Sequence, residues 1–230
     1  MSDPVVYGFP RSTFVNIVRM VLTYKDVSYK FHDLEPEMGK PSHLALHPFN
    51  RVPILRHGDF TLYETSAIVT YLDETFPRLP LQPRDIPGRA RMDQWISMVN
   101  SYFYPYMVHH VSHERIVFPE LGIAPDEKVV AHALPKIEVA LQVTERQLGH
   151  GKDYLLGSEV TLADFYLLPC TYSFSFTPEA KTMYPKFPAF GRWRERMESH
   201  SVVKQLRASL PPRAPIEHAR EWAISHRPKY

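Results

Sequence analysis

Three short patterns in the N-terminal third of the chain carry side chains suited to binding chemistry. The first is the run Gly8–Thr13, between a β-prone run and an apolar helical stripe. A strand-to-helix turn exposes unpaired backbone N–H groups, and the helix dipole adds roughly half a positive charge there. A hydroxyl at Ser12 would add a neutral donor, so this pattern predicts an anion site. Ser12 or Thr13 can instead simply cap the helix, which is the commoner role of such residues.

The second pattern is the Val52-Pro53 pair, which opens a short β-prone run. A proline can open a strand where one edge of the backbone has no partner in the sheet. We predict a cis Val52–Pro53 peptide, which would turn the N–H and carbonyl of Val52 outward to pair with an extended ligand. A trans proline that merely starts an edge strand is the alternative.

The third pattern, Glu64-Thr65-Ser66, precedes another apolar helical stripe. An acidic side chain, a hydroxyl and the free N–H groups of a helix start lie together here. They can hold a zwitterionic α-amino acid, with Glu64 facing the ammonium and Thr65 and the helix end facing the carboxylate. Ordinary helix capping beside a favourable acidic charge explains the same residues.

Alternating elements must position these patterns. Four strands are predicted, at Val5–Tyr7, Val27–His32, Val52–Leu55 and Phe60–Tyr63. Apolar residues recur at helical spacing between the first two strands: Phe14, Ile17, Val18, Val21 and Leu22. A strand, a helix and a strand at this spacing predict a βαβ unit, and the last two strands predict a hairpin. A helix capped by Thr65 or Ser66 follows.

The rest of the chain has a helical period. Four prolines between positions 76 and 88 place a linker at 81–88, after a domain of residues 1–80. Apolar residues then follow helical spacing in four segments, around Trp95, Ile137, Phe165 and Trp193. Pro105 is expected to end or kink the first of these helices. Residues 89–230 are therefore predicted to form an all-helical domain that ends in a surface tail, 211–230.

Composition narrows the class of protein. The 230 residues are 44% hydrophobic, and 27 Lys and Arg residues nearly balance 25 Asp and Glu residues. This balance argues against nucleic acid or a membrane surface as partner, because both need a concentrated basic face. The single cysteine, Cys170, excludes an intramolecular disulfide and fits a reducing cytoplasm. It lies in an apolar run, so we expect a buried structural thiol.

Taken together and in this order, the three patterns resemble the glutathione site of the cytosolic glutathione transferases. The first pattern, with Arg19 on the following helix, is most similar to the serine-type phi class and its bacterial and fungal relatives. Leu44–Pro53 and Glu64–Ile68 resemble the same family. Thr161 and Asp164 resemble its helix-capping motif, and at this spacing they can cap each other's backbone N–H groups. The resemblance implies a thioredoxin-like α/β N-terminal domain, an all-α C-terminal domain and a homodimer.

The resemblance also implies glutathione as cosubstrate and a set of site residues. Ser12 would be the catalytic residue that stabilises the thiolate. The glutathione-binding residues would be Lys40, Arg51, Val52, Pro53, Glu64 and Thr65. Met38-Gly39 and Arg51 replace the usual His-Lys pair and glutamine of the phi class. Lys40 and Arg51 can hold the glycine carboxylate between them, while weaker glutathione binding or a different thiol is the alternative.

By the same resemblance, the helical domain would supply the pocket for the electrophile. Its candidates are Tyr102, Phe103, Tyr106, His110 and Phe118, although an aromatic stripe is more often plain core. Phe49 would be the aromatic key of the dimer interface, since an exposed Phe needs a reason on a surface.

Two rival interpretations concern neighbouring residues. Tyr7 ends the first strand, where other classes of the family place a catalytic tyrosine, but it shares strand parity with Val5 and is expected to be a packed strand residue. His109 and His113 share a helix face, yet no carboxylate stands at ligand spacing, so we predict no metal.

The predicted function is a cytoplasmic glutathione transferase that conjugates the glutathione thiolate to electrophilic small molecules, as in detoxification. A glutathione-dependent peroxidase, dehalogenase or etherase uses the same fold and stays open, because the electrophile pocket decides among them. A non-catalytic glutathione-binding or assembly module is the alternative from another class of function.

Overall fold

The chain divides into two bodies with separate cores. The computed structural model describes residues 2–211, 224 and 227–228. The first unit holds the chain up to Met92 together with Glu198–Pro211, and the second holds Asp93–Met197. The domain limits 1–80, 81–88 and 89–230 stay a prediction, and most of the expected tail lies outside the described residues.

The first unit is built on a four-stranded sheet. Its elements are β1 (Val5–Gly8), α1 (Thr13–Tyr24), β2 (Lys30–Asp33), a 3₁₀ turn (Glu35–Glu37), α2 (Pro41–Leu46), β3 (Ile54–His57), β4 (Phe60–Tyr63) and α3 (Thr65–Thr75). The strand order is β2-β1-β3-β4. β1 is parallel to β2, while β3 is antiparallel to both β1 and β4. The predicted βαβ unit and hairpin are confirmed, and with them the thioredoxin-like α/β fold.

The second strand begins later than predicted. β2 starts at Lys30, because the residues before it close the end of α1. Asp26 takes a left-handed conformation, with φ 56°, and the Val27 N–H donates to the carbonyl of Leu22 at 3.0 Å. These residues are used for the turn and cannot extend the ladder.

A close contact fixes α1 on the sheet. Val6 and Val15 are fully buried, and a Cβ at Gly8 would lie 2.3 Å from Cγ2 of Val15. Only glycine permits this approach of β1 to the helix. At the other end of the helix, its C-cap residue Lys25 forms a buried ion pair with Asp73 of α3. The position of the first turn of α1 is therefore set by packing against β1.

Beyond α3 the chain is helical, which confirms the predicted all-α half. Its elements are α4 (Ile86–Met98), a π-helical segment (Val99–Val117), α5 (Phe118–Glu120), α6 (Glu127–Leu148), α7 (Leu162–Phe174), α8 (Pro178–Met183), a 3₁₀ turn (Tyr184–Lys186), α9 (Pro188–Ser199) and α10 (Ser201–Ala208). None of the described helices combines the length and the apolar composition that crossing a bilayer requires.

Pro105 does not end its helix, contrary to one of the two expected outcomes. The chain continues through Pro105 in the π-helical segment. At its end the Phe118 N–H donates to the carbonyl of His113, five residues earlier. The wider π-type turn accommodates a residue that has no N–H to donate.

The predicted capping pair at the start of α7 is confirmed. The Asp164 carboxylate accepts the backbone N–H of Thr161 at 2.9 Å and that of Leu155 at 2.9 Å. It also accepts the indole N–H of Trp193 at 2.8 Å. This buried carboxylate therefore ties α7, α9 and the preceding loop together in the core of the second unit.

Candidate functional site

The register of the sheet brings the three patterns to one end of the first unit. Ile54, at the start of β3, pairs with Tyr7 on one side and with Tyr63 on the other. Because β3 is antiparallel to β1 and β4, its start lies beside the ends of both neighbours. The turn before α1, the Val52-Pro53 pair and the start of α3 therefore lie at the same end of the sheet.

Ser12 is the N-cap of α1, and its hydroxyl keeps a proton to donate. Its Oγ accepts the Val15 N–H at 3.5 Å, a long and therefore weak capping bond. The hydroxyl is half-buried. Since capping uses a lone pair of the oxygen, the O–H can still donate to an anion at the helix start. The capping role and the catalytic role are thus compatible in this geometry.

Buried Arg19 supports the turn that precedes Ser12. Its guanidinium donates to the Pro10 carbonyl at 3.5 Å and to the Tyr29 hydroxyl at 3.2 Å. A third bond, of 2.8 Å, reaches Oγ of Ser209 just after α10. Sequence reasoning included Arg19 in the first pattern but had no means of finding Ser209.

Tyr7 points to the other face of the sheet. Val6 and Gly8 face α1, so by strand alternation Val5 and Tyr7 face away from it. The Tyr7 ring lies 5.0 Å from the ring of His32. It also borders a cavity of about 320 Å³ that touches none of the other candidate residues. This orientation favours Ser12 over Tyr7 as the group beside the helix start.

The Val52–Pro53 peptide is cis, as predicted. Pro53 is buried, and β3 begins at the next residue. Among the hydrogen bonds of the described residues outside helices and strands, none uses the N–H or carbonyl of Val52. Both groups therefore suit pairing with an extended ligand.

The start of α3 differs from the prediction in its cap. The N-cap is Glu64, not Thr65 or Ser66, and its side chain makes no capping bond. Thr65 is buried as the first helical residue, while the Glu64 side chain is exposed. Glu64 has φ 71°, a left-handed conformation that costs a non-glycine residue energy. The carboxylate is thereby turned outward beside the free N–H groups of the helix start.

The loop that carries Lys40 is tied down by Glu37. The Glu37 carboxylate bonds His32 on β2 at 2.9 Å and the Ser42 hydroxyl on α2 at 3.4 Å. The hydrogen bond from His32 lowers the pKa of Glu37 below its ordinary value. Lys40 itself is the exposed N-cap residue of α2. The loop that carries the Lys40 ammonium is therefore held in place by the hydrogen bonds of Glu37.

Two buried histidines of α2 and its C-cap were not assigned a role from the sequence. His43 bonds Gly39 and Arg51, which belong to the two segments predicted to hold the glycine carboxylate. The His47 ring lies 4.6 Å from that of Tyr63, and burial lowers the pKa of His47. Glu64 and Arg51 both act on His47 electrostatically, and they do so in opposite directions: Glu64 raises its pKa and Arg51 lowers it.

The electrophile-pocket candidates of the second unit fall into separate environments. Phe103 and Phe118 are core residues with 0% and 1% exposure, whereas Tyr102 is 58% exposed. Tyr106 and His110 lie together, with ring centroids 5.2 Å apart. Whether these side chains contact a substrate stays a prediction.

A histidine-rich cluster surrounds Tyr106 and His110. The His110 ring stacks on His132 at 6.3 Å, and Lys136 Nζ lies 2.5 Å from Nε2 of His132. Burial, together with the nearby His132 and Lys136, lowers the pKa of His110. Burial also lowers the pKa of His113 to about 3. Within residues 2–211, 224 and 227–228, no three His, Cys, Asp or Glu side chains are arranged as a metal site.

Phe49 is exposed and Cys170 is buried; the interface role of Phe49 stays a prediction. Phe49 is 68% exposed, and its ring meets that of Tyr63 edge-on at 6.3 Å. Cys170 is fully buried, and burial raises the pKa of its thiol. A buried thiol with a raised pKa cannot take part in thiol–disulfide exchange.

Family models match both the N-terminal and the C-terminal part of the chain. Residues 6–101 match the family model of the glutathione S-transferase N-terminal domain, and residues 95–201 match that of the C-terminal domain. Glutathione S-transferase 1 of Zea mays is 33% identical over 77% of this chain and 82% of its own. Glutathione S-transferase 1 of Dianthus caryophyllus is 36% identical over 71% of this chain and 74% of its own.

Solved structures agree with these relatives. The structure of glutathione S-transferase I bound with the ligand lactoylglutathione superimposes with a TM-score of 0.80. It is 26% identical, over 90% of this chain and 99% of its own. The resemblance read from the three patterns is therefore confirmed, and the chain belongs to the glutathione S-transferase family.

Proposed function

We propose that this chain conjugates glutathione, through its thiolate sulfur, to electrophilic small molecules. One observation carries the proposal: the register of β3 gathers the Ser12 turn, the Val52 backbone and the start of α3 at one end of the sheet. These features match the three parts of a tripeptide thiolate. A hydrogen-bond donor at a helix start suits the thiolate, and the Val52 backbone groups suit the peptide backbone. An acidic side chain beside a second helix start suits the ammonium and carboxylate of the γ-glutamyl group. The family membership of the chain supports the same activity.

Ser12 is the residue that acts on the sulfur. Free thiols have a pKa near 8.5, so only a few per cent is thiolate at neutral pH. The Ser12 hydroxyl and the N–H groups of the α1 start favour the charged form by hydrogen bonding and by the helix dipole. The protein thereby raises the fraction of the reactive nucleophile.

The remaining residues hold the peptide part of glutathione. The Val52 N–H and carbonyl pair with its backbone, as a neighbouring strand would. Glu64 faces the ammonium of the γ-glutamyl group, and Thr65 with the α3 start faces the adjoining carboxylate. Lys40 and Arg51 hold the glycine carboxylate at the other end, where the Arg51 guanidinium can bind it in a bidentate way.

The helical unit supplies the electrophile site. The neighbouring rings of Tyr106 and His110 and the exposed ring of Tyr102 are its candidate side chains. Holding the electrophile beside the thiolate provides much of the rate acceleration through proximity. The protein works as a cytoplasmic homodimer in this proposal, with the exposed Phe49 as the interface key.

The test combines binding and turnover. Calorimetry with glutathione is expected to show saturable binding, and a chloronitroarene is expected to be conjugated at a rate proportional to enzyme. S-methylglutathione is the control, because it can occupy the site and inhibit but has no thiol to transfer. Binding without turnover of any electrophile would indicate a glutathione-binding module instead, and absence of binding would contradict both functions.

A further inference from the structure

We infer that His43 is a positioning residue of the glutathione site, which acts by orienting the Val52 N–H and the loop before Lys40. The inference rests on the proposed function. It concerns how this chain builds the glutathione site with Met38-Gly39 in place of the usual His-Lys pair of the phi class. His43 lies within α2 and is completely buried. Its ring nitrogens bond backbone groups of Gly39 and Arg51, so we assign it a positioning role.

Both ring nitrogens of His43 are used, and their partners define its protonation. The Gly39 N–H lies 3.2 Å from Nδ1, and the Arg51 carbonyl oxygen lies 3.0 Å from Nε2. A backbone N–H can only donate and a carbonyl can only accept. Nδ1 is therefore the acceptor and Nε2 carries the proton, so the ring is neutral in a single tautomer.

The bond to Arg51 determines the direction of the Val52 N–H. The Arg51 carbonyl and the Val52 N–H belong to the same planar trans peptide, in which the oxygen and the hydrogen point in opposite directions. The carbonyl is held toward His43. The Val52 N–H must therefore point away from His43, and we infer that it faces the proposed position of the extended ligand.

The bond to Gly39 holds the second segment. Gly39 has φ +74°, a left-handed conformation that glycine adopts without strain. Its N–H donates to His43, and the next residue, Lys40, is the N-cap of α2. One imidazole thus links the loop of Lys40 to the backbone of Arg51, the two residues proposed to hold the glycine carboxylate. A side chain without two opposite polar atoms cannot make both bonds.

The experiment separates the two bonds by conservative variants. His43→Phe keeps the ring but loses both bonds, His43→Gln can keep a donor for the Arg51 carbonyl, and His43→Asn can keep an acceptor for the Gly39 N–H. His43→Phe is expected to raise the KM for glutathione about three- to tenfold, with kcat and the KM of the electrophile within about twofold of wild type. His43→Gln is expected to restore most of the affinity, and His43→Asn less.

A matched control reports on stability alone. His57 is also a histidine of the first unit, bonded through Nδ1 to the Tyr71 hydroxyl at 2.9 Å, and it lies at the opposite end of β3 from Val52-Pro53. His57→Phe is expected to lower the unfolding midpoint without changing the KM for glutathione. Calorimetric glutathione binding by folded His43→Gln provides a second readout should His43→Phe be unstable.

The possible results distinguish failure of the His43 inference from failure of the proposed function. An unchanged KM for glutathione in folded His43→Phe, or an equal fall of kcat and of both substrate affinities, would overturn the inference while leaving the proposed function intact. Equal affinity of the Gln and Asn variants would overturn the assigned role of the Arg51 bond. Failure of the wild-type protein to bind glutathione would instead overturn the proposed function.

Discussion

The Ser12 hydroxyl oxygen and the Val15 backbone nitrogen lie 3.5 Å apart, at the long limit of a capping hydrogen bond. Ser12 therefore contributes little to the stability of α1 through this bond, whereas its O–H remains able to donate. This relationship makes the catalytic role of Ser12 separable from its structural role.

Replacing Ser12 by Ala is expected to damage catalysis more than folding. A hydrogen bond to a charged acceptor contributes about 1.5–3 kcal/mol. Its loss should raise the pKa of the bound thiol by roughly one to two units and lower the rate at neutral pH about ten- to a hundredfold. Thiolate absorbance of the glutathione complex, titrated against pH, measures the pKa directly.

Tyr7→Phe is the control for Ser12→Ala. The Tyr7 side chain faces away from α1, so removing its hydroxyl should leave the pKa of the bound thiol nearly unchanged. If the pKa rises in Tyr7→Phe and not in Ser12→Ala, the thiolate has been assigned to the wrong residue.

Glu64→Gly is expected to stabilise the fold and to weaken glutathione binding. Glycine accepts φ 71° without the steric cost that Glu64 bears, so the free energy of unfolding should rise by up to about 1 kcal/mol. Loss of the carboxylate that faces the ammonium should weaken glutathione binding at least about tenfold. Chemical denaturation and calorimetry measure the two effects separately.

Glu64→Gln distinguishes charge from backbone conformation. It keeps the left-handed strain and removes the charge, so it should bind glutathione weakly without any gain in stability. If Glu64→Gly bound glutathione with wild-type affinity, Glu64 would not be part of the glutathione site.

Phe49→Ala is expected to weaken a homodimer. Truncating a central aromatic anchor should cost about 2–4 kcal/mol of association free energy, seen as a higher dissociation constant in sedimentation. Phe60→Ala is a matched control, because Phe60 is also an exposed aromatic of the first unit, 48% exposed on β4. A dimer of unchanged affinity in Phe49→Ala would show that the anchor lies elsewhere.

Acid is expected to destabilise the protein through His113. Burial holds its folded-state pKa at about 3, below the value near 6.5 of an unfolded histidine. The unfolded chain therefore binds the extra proton, so stability is lost as pH falls from about 6.5 toward 3. Between pH 7 and pH 5 the loss from this one residue should approach about 2 kcal/mol.

Urea unfolding of wild type and His113→Gln at both pH values tests this contribution. The variant should be less stable at pH 7 but should lose less stability on acidification. An identical loss in the two proteins would place the acid sensitivity on other groups, such as His110, whose pKa burial also lowers.

Local sequence patterns were enough to predict most helices and strands and to select most of the candidate site residues. Helical periodicity located α6 and α7, because it depends on residues close in the chain. Two closely spaced β-prone runs located β4 and the first half of β3, which begins two residues later than the predicted Val52–Leu55. The spacing of Thr161 and Asp164 predicted their contact for the same reason. The Val52-Pro53 and Glu64-Thr65 motifs were likewise readable as family signatures.

Only the tertiary structure decided which residues support that site. The bond of Arg19 to Ser209 joins residues 190 positions apart, and His43 reaches Arg51 only because α2 folds beside the start of β3. The left-handed Glu64 cap replaced the expected Thr65 or Ser66 because chain direction at the β4–α3 junction, not side-chain propensity, sets that conformation. Propensity and periodicity describe a residue against its sequence neighbours, whereas burial, tautomer and backbone direction depend on groups that meet only after folding.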